Sequence, residues 1–208
     1  FHLQDRIPAA TDRFNVRSNH TISQMLHFDV NYNFQQGENH SLASFPAFER
    51  DQSTRGQSVT LGLTQSFSRT FSNSTQFFFT RNRSESLNQF AFTQDVAGSL
   101  GITGVSANPI DFGVPQLNFT NFTGANDPVP SLTRNQTFRL LDSIRVQRTR
   151  HTIMAGFEMR LMENNTLSNP TPRGSFTFSG TETSQLDATG KPIGGTGVDF
   201  ADFLLGLP

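Results

Sequence analysis

Residues 25–35 read Met25-Leu26-His27-Phe28-Asp29-Val30-Asn31-Tyr32-Asn33-Phe34-Gln35 and alternate without a break. Leu26, Phe28, Val30, Tyr32 and Phe34 fall on one face, and His27, Asp29, Asn31, Asn33 and Gln35 on the other. Successive side chains of a strand point to opposite faces, so the stretch predicts a ribbon with one oily and one wet side. Its length is that of a tilted strand crossing a bilayer, about 9–11 residues. Strands of soluble domains are usually shorter, about 5–6 residues.

The pattern recurs. Strands are expected at residues 14–22, 25–35, 56–67, 71–83, 133–146 and 151–163, with a short seventh at 175–180. Val59, Leu61 and Leu63 are in phase in the third, Phe77 and Phe79 in the fourth, and Ile153, Phe157 and Met159 in the sixth. The connections are more telling than the strands. Tight turns near residues 22–25, 68–70 and 147–150 close hairpins at about 14–35, 56–83 and 133–163. Long links at 36–55, 84–132 and 164–208 separate them. A bacterial outer-membrane barrel alternates short periplasmic turns with long extracellular loops in this way. The expected fold is therefore all-β: an antiparallel up-and-down meander, part of a transmembrane β-barrel with long extracellular loops. Leu26, Phe28, Val30, Phe34, Leu61, Leu63, Phe77, Phe79, Ile153, Phe157 and Met159 are expected to face lipid.

Composition agrees with a wall and narrows the function. Hydrophobic residues make up 34% and charged residues 16%, against roughly 45–50% and about 25% in soluble domains. Asn, Gln, Ser and Thr fill the gap, as in a wall that is apolar outside and polar but mostly uncharged inside. A secreted, soluble β-rich binding protein, adhesin or filament subunit would carry the same composition. The net charge of −1 offers no bulk attraction to nucleic acid. The lack of cysteine excludes disulfides, thiolate metal sites and a cysteine nucleophile. No apolar run reaches the length of a transmembrane helix. The chain opens Phe1-His2-Leu3-Gln4 without an initiator Met or signal-peptide pattern, so a piece of a longer protein is expected.

Catalytic constellations are poor. The histidines at 2, 20, 27, 40 and 151 form no metal-ligand pair, and neither enzyme activity nor a cofactor or metal is expected. Arg145, Arg148, Arg150 and Arg160 gather around the third hairpin, where charge keeps a turn in water; lipopolysaccharide phosphate or an anionic solute is the competing use. Phe90, Phe92, Phe119 and Phe122 stand in the long second link, whose residues 114–122 could form an extra strand. Asp199 and Asp202 share one face of a short helix expected at 198–205. These six side chains are the candidates for contact with a ligand.

Four stretches carry a family likeness. Residues 14–32, with Asn19, His20, Ser23, Leu26 and Tyr32, resemble one hairpin of the Oar-like group of TonB-dependent outer-membrane transporters. Residues 59–83, ending Arg81-Asn82-Arg83, resemble the next. Residues 133–160 are similar to a third through Asn135, Asp142, Ser143, Arg150, His151, Thr152, Gly156, Glu158 and Arg160. Residues 173–178 and 197–208, RGSFTF and GVDFADFLLGLP, resemble a characteristic loop sequence of that group. The resemblance implies uptake of a scarce solute, here unidentified, across the outer membrane of a Gram-negative bacterium. It implies outer-membrane lipid as a partner, and TonB through a plug and TonB-interacting box that this stretch lacks. Such barrels have about 22 strands. The chain departs from barrel habit in having no Trp and one Tyr, with 22 Phe supplying the apolar band.

Seven strands leave two open edges, which hydrocarbon does not tolerate. In plain buffer, the isolated 208-residue chain is expected to aggregate, to curl, or to self-associate through those edges. A cooperative monomer in sedimentation and denaturant titration would contradict this.

Overall fold

The computed structural model describes residues 9–41 and 48–208. The elements in order are β1 (Ala9–Ser23), β2 (Leu26–Ser41), β3 (Arg50–Ser68), β4 (Phe71–Asn88), α1 (Val96–Ser99), β5 (Gln116–Phe119), β6 (Ser131–Arg148), β7 (His151–Ser168), β8 (Ser175–Phe178) and α2 (Asp199–Leu205). A 3-10 turn occupies Pro109–Asp111. The chain divides into two compact units. The first comprises Phe1–Asn39, Gln52–Glu85 and Leu132–Leu167, the second His40–Asp51, Ser86–Ser131 and Ser168–Pro208.

The first unit holds an antiparallel sheet in the order β1-β2-β3-β4-β6-β7. Neighbours in sequence are neighbours in space, and β1 and β7 are the edges. The β1/β2 register sets Phe14 opposite Phe34 and Val16 opposite Tyr32 on one face, and Asn15 opposite Asn33 and Arg17 opposite Asn31 on the other. Side-chain contacts carry the two faces across the sheet. On the oily side, Gln57 reaches the Tyr32 hydroxyl at 3.4 Å and the Phe79 and Phe138 rings lie 5.0 Å apart. On the wet side, Asn33 reaches Ser58 at 3.2 Å and Arg139 lies over Phe78 at 5.3 Å. By parity, every side chain expected to face lipid falls on the oily face. So do Val59, Phe138 and Leu140.

Nothing in the sheet covers that face. Among the described residues, the buried hydrophobic ones are Ala91, Ala97, Ile110 and Phe178, and all four belong to the second unit. Phe14, Ile153, Phe157 and Met159 are each more than half exposed. A Phe, Leu or Ile left in water forfeits about 1.5–3 kcal/mol. A sheet presenting a full row of them and owning no core is built for an apolar solvent. No helix among the described residues is long and apolar enough to cross a membrane.

Two sequence expectations need correction. The meander has six strands rather than seven, because residues 175–178 form β8, which pairs in parallel with β5 as a separate ladder. Alternation marks a strand but does not name its partner, and four residues are too few to cross a bilayer. The strands also overrun their expected ends. β2 continues to Ser41 and β3 begins at Arg50, so the link drawn at 36–55 is mostly strand, apart from 42–47, which lie outside the described residues. β4 likewise reaches Asn88 and β7 reaches Ser168. Beyond the oily band both faces are polar, so the hydrophobic signal stops while backbone pairing goes on.

Placing Arg at Leu61, in the middle of the band, should cost about 2–4 kcal/mol. Placing it at Thr60, one residue away on the wet face, should cost far less. Urea titration of the full-length protein folding into lipid vesicles measures both, and equal losses would deny the sheet its two-sidedness.

Candidate functional site

The wet face of the first unit lines an open hollow of about 680 Å³. Arg13, Asn15, Asn33, Gln35, Ser58, Thr80, Asn82 and Asn135 line it from that face, and Phe14, Phe34, Arg55, Gln57 and Arg83 of the other parity border it as well. The Asn15 carboxamide donates to Asn31 Oδ1 at 2.8 Å and to Asn33 Oδ1 at 2.5 Å, and Asn33 donates to Ser58 Oγ at 3.2 Å. The carboxamides thus hand hydrogen bonds from strand to strand. Farther along, Arg139 grips Glu158 with two bonds of 2.8 and 2.9 Å, and Arg160 adds a third at 2.8 Å. Amides and hydroxyls dominate the wall, with Arg13, Arg55 and Arg83 adding positive charge at the hollow, and such a surface suits water and polar solutes, which exchange hydrogen bonds with it at little desolvation cost.

The second unit is a packed body of loops. β5 and β8 pair Leu117 with Phe176 and Phe119 with Phe178. The Phe119 ring lies 5.4 Å from Phe178 and 5.5 Å from Phe203 of α2, and Phe122 lies 5.7 Å from Phe200. Helix α2 ends at Gly206, whose φ of 68° is the left-handed cap glycine favours. Asp199 and Asp202, both almost wholly buried, turn inward onto backbone N–H groups. Asp199 accepts from Asn121 at 2.6 Å and Phe200 at 2.9 Å, and Asp202 from Thr183 at 2.9 Å. Of the six candidate ligand residues, the fold therefore gathers Phe119, Phe122, Asp199 and Asp202 around α2. Phe90 and Phe92 stand outside that ring cluster. Phe92 is 60% exposed with a φ of 62°, its N–H held by the Pro109 carbonyl at 2.7 Å.

An ion pair that local patterning does not reveal organises the same unit. Arg173 and Asp127 are buried together, with an N–O distance of 3.5 Å. Arg173 donates to the carbonyls of Asp127 at 2.9 Å, Pro128 at 3.1 Å and Phe112 at 3.3 Å. Asp127 accepts from Asn88 at 2.5 Å and from the Val114 N–H at 3.0 Å. Burial pushes the Asp127 carboxyl up against the pull of Arg173, and burial lowers Arg173. Gly113 leaves room for the pair: a Cβ there would lie 2.1 Å from the Asp127 carboxylate. Since 46 residues separate the partners, no spacing in the sequence announces them.

The other singled-out residues disperse. Arg145, Arg148, Arg150 and His151 stand at or beside the β6–β7 turn, and Arg160 is tied to Glu158. His27 meets Thr21 at 3.1 Å on the wet face. His40 bridges Asp51 at 2.5 Å and Glu49 at 3.1 Å, and the Asp51 hydrogen bond chiefly raises its pKa. His2 lies outside the described residues.

Residues 2–208 match the family model described as an outer membrane beta barrel domain. No curated protein matches the chain significantly.

Replacing Arg173 with Met should leave Asp127 as a buried charge without its counter-ion, a loss of about 3–5 kcal/mol. Limited proteolysis should then open residues 86–131 and 168–208 at rates the parent resists, with Arg173→Lys intermediate. Unchanged cleavage would make the pair ornamental.

Proposed function

The chain belongs to the outer membrane beta barrel domain family and resides in the bacterial outer membrane, and on that premise we propose that it is barrel wall from a TonB-dependent importer of the Oar-like kind. The observation that carries this reading is the two-sided six-stranded sheet, whose short turns and long loops alternate. The oily face meets lipid. The carboxamide-lined face borders the path of the solute. The loop-borne second unit forms the surface that first meets solute outside the cell. The residues similar to the Oar-like hairpins lie in β1–β4, β6 and β7, and RGSFTF with GVDFADFLLGLP lies in β8 and α2, so the likeness runs through both units.

Mechanistically, the wall itself does no chemistry. It supplies a rigid, hydrogen-bonded rim in which movement of a plug, pulled by TonB, opens and closes a path. A polar lining lets a polar solute exchange one hydrogen bond for another as it passes. The secreted, soluble reading is disfavoured because, among the described residues, the sheet has no apolar core of its own.

Mass spectrometry of spent medium tests the coupling. A strain lacking this gene and a strain lacking TonB are expected to leave the same scarce solute unconsumed. Uptake that persists without TonB but stops without this gene would make the barrel a passive pore.

A further inference from the structure

The oily face changes character toward the long-loop end of the sheet. Past Phe34, Val59, Phe79 and Phe138, the same face carries Arg55 on β3, Arg81 and Arg83 on β4, and Arg134 on β6. Arg55, Arg81 and Arg83 line a hollow of about 140 Å³ with Gln57. Arg81, Arg83 and Arg134 line another of about 690 Å³. Acceptors for these guanidinium groups are few. Arg55 donates to Gln36 Oε1 at 2.9 and 3.2 Å and lies 5.9 Å over the Phe34 ring. Arg83 pairs with Glu85 at 3.0 Å. Arg81 and Arg134 have no acceptor among the described residues. Three carboxylates near them are engaged, Glu85 by Arg83, Glu38 by Gln36 at 3.2 Å, and Glu163 by Gln136 at 2.8 Å; Asp12, opposite Gln36 on β1, is the acidic neighbour on the Arg55 side of the belt.

Position decides what this belt meets. On the lipid side of a barrel, arginine is costly at the midplane and nearly free at the interface. A belt just past the oily band therefore sits at headgroup level. The long-loop end of an outer-membrane barrel is the extracellular end, so the headgroups are those of the outer leaflet. The arginines of the β6–β7 turn, by contrast, lie at the opposite end of the strands. A guanidinium fork fits a phosphate with two parallel N–H···O bonds, and two of these four have no competing acceptor among the described residues.

We propose that Arg55, Arg81, Arg83 and Arg134 form a binding site for the phosphate of a phosphorylated lipid in the outer leaflet. Arg81 and Arg134 supply the free donors, Arg83 adds charge, and Arg55, flat on Phe34, borders the acyl chains. The site rests on membrane placement and stands or falls separately from TonB coupling.

Native mass spectrometry of the full-length protein in detergent, offered bis-phosphorylated lipid A or its dephosphorylated form, tests it. The phosphorylated lipid should be retained at least about tenfold better, and the Arg81→Gln/Arg134→Gln double variant should lose about that factor. Arg13→Gln, on the wet face, should lose nothing. Heat-modifiable gel mobility certifies that each variant is folded; should the double variant fail there, Arg134→Gln alone is expected to lose about threefold or more. Equal retention of the two lipids, or folded variants that retain as the parent does, would overturn the site. Release of the lipid by excess inorganic phosphate would replace a lipid site with one for a free anion.

Discussion

In hydrocarbon a backbone N–H or C=O has no water to turn to, so each must find its partner within the protein. That constraint explains why half of the chain goes into six long strands, each paired to a neighbour in sequence. It also explains why hairpins with minimal turns serve as the unit of construction. The pairing is local in the chain, and only the β4-to-β6 step spans a long insertion. β1 and β7 carry unpaired edges, where further wall would be satisfied in the same currency.

Once backbone pairing is met, side chains are free to divide the work. One parity is oily, with Phe, Leu, Val, Ile and Met along it. The other parity faces water and carries Asn, Ser, Thr and Gln, whose hydrogen bonds run across strands from Asn15 to Asn33 to Ser58. Charge appears on the oily parity past Phe34 and Phe79, where the arginines begin, and along the wet parity at Arg139, Glu158 and Arg160. A membrane protein of this kind inverts the usual arrangement, and conventional burial is confined to its loops.

In the second unit a small globular logic returns. Ala91, Ala97, Ile110 and Phe178 are buried, a cluster of phenylalanines packs α2 against the β5–β8 ladder, and buried carboxylates satisfy backbone donors that loops would otherwise strand. The Arg173–Asp127 pair is of the kind that contributes specificity more than net stability, since desolvating two charges consumes much of their attraction. Loops this long stay ordered only if such anchors repay their conformational entropy.

How much of this was legible varied with the kind of signal. The strands of the meander and the side chains that share each face were readable, because a period of 2 with one oily parity has few other meanings. The short helix near residue 199 was readable from Phe200, Phe203 and Leu204. Strand ends were not, since Gln36 to Ser41 and Arg50 to Thr54 are polar on both faces and periodicity falls silent there. The partner of residues 175–178 was unreadable, because four alternating residues fit any open edge. The inward turn of Asp199 and Asp202 was hidden for a related reason: a carboxylate in a loop sequence looks the same whether it meets solvent or a buried N–H.

The amino-acid sequence by itself therefore determined which side chains share each face of the wall, because facing is a local property set by alternation. Tertiary structure alone decided which distant loops meet. The bond between Arg173 and Asp127, the parallel pairing of β5 with β8, and the convergence of four arginines from three strands all depend on chain paths that no local pattern encodes.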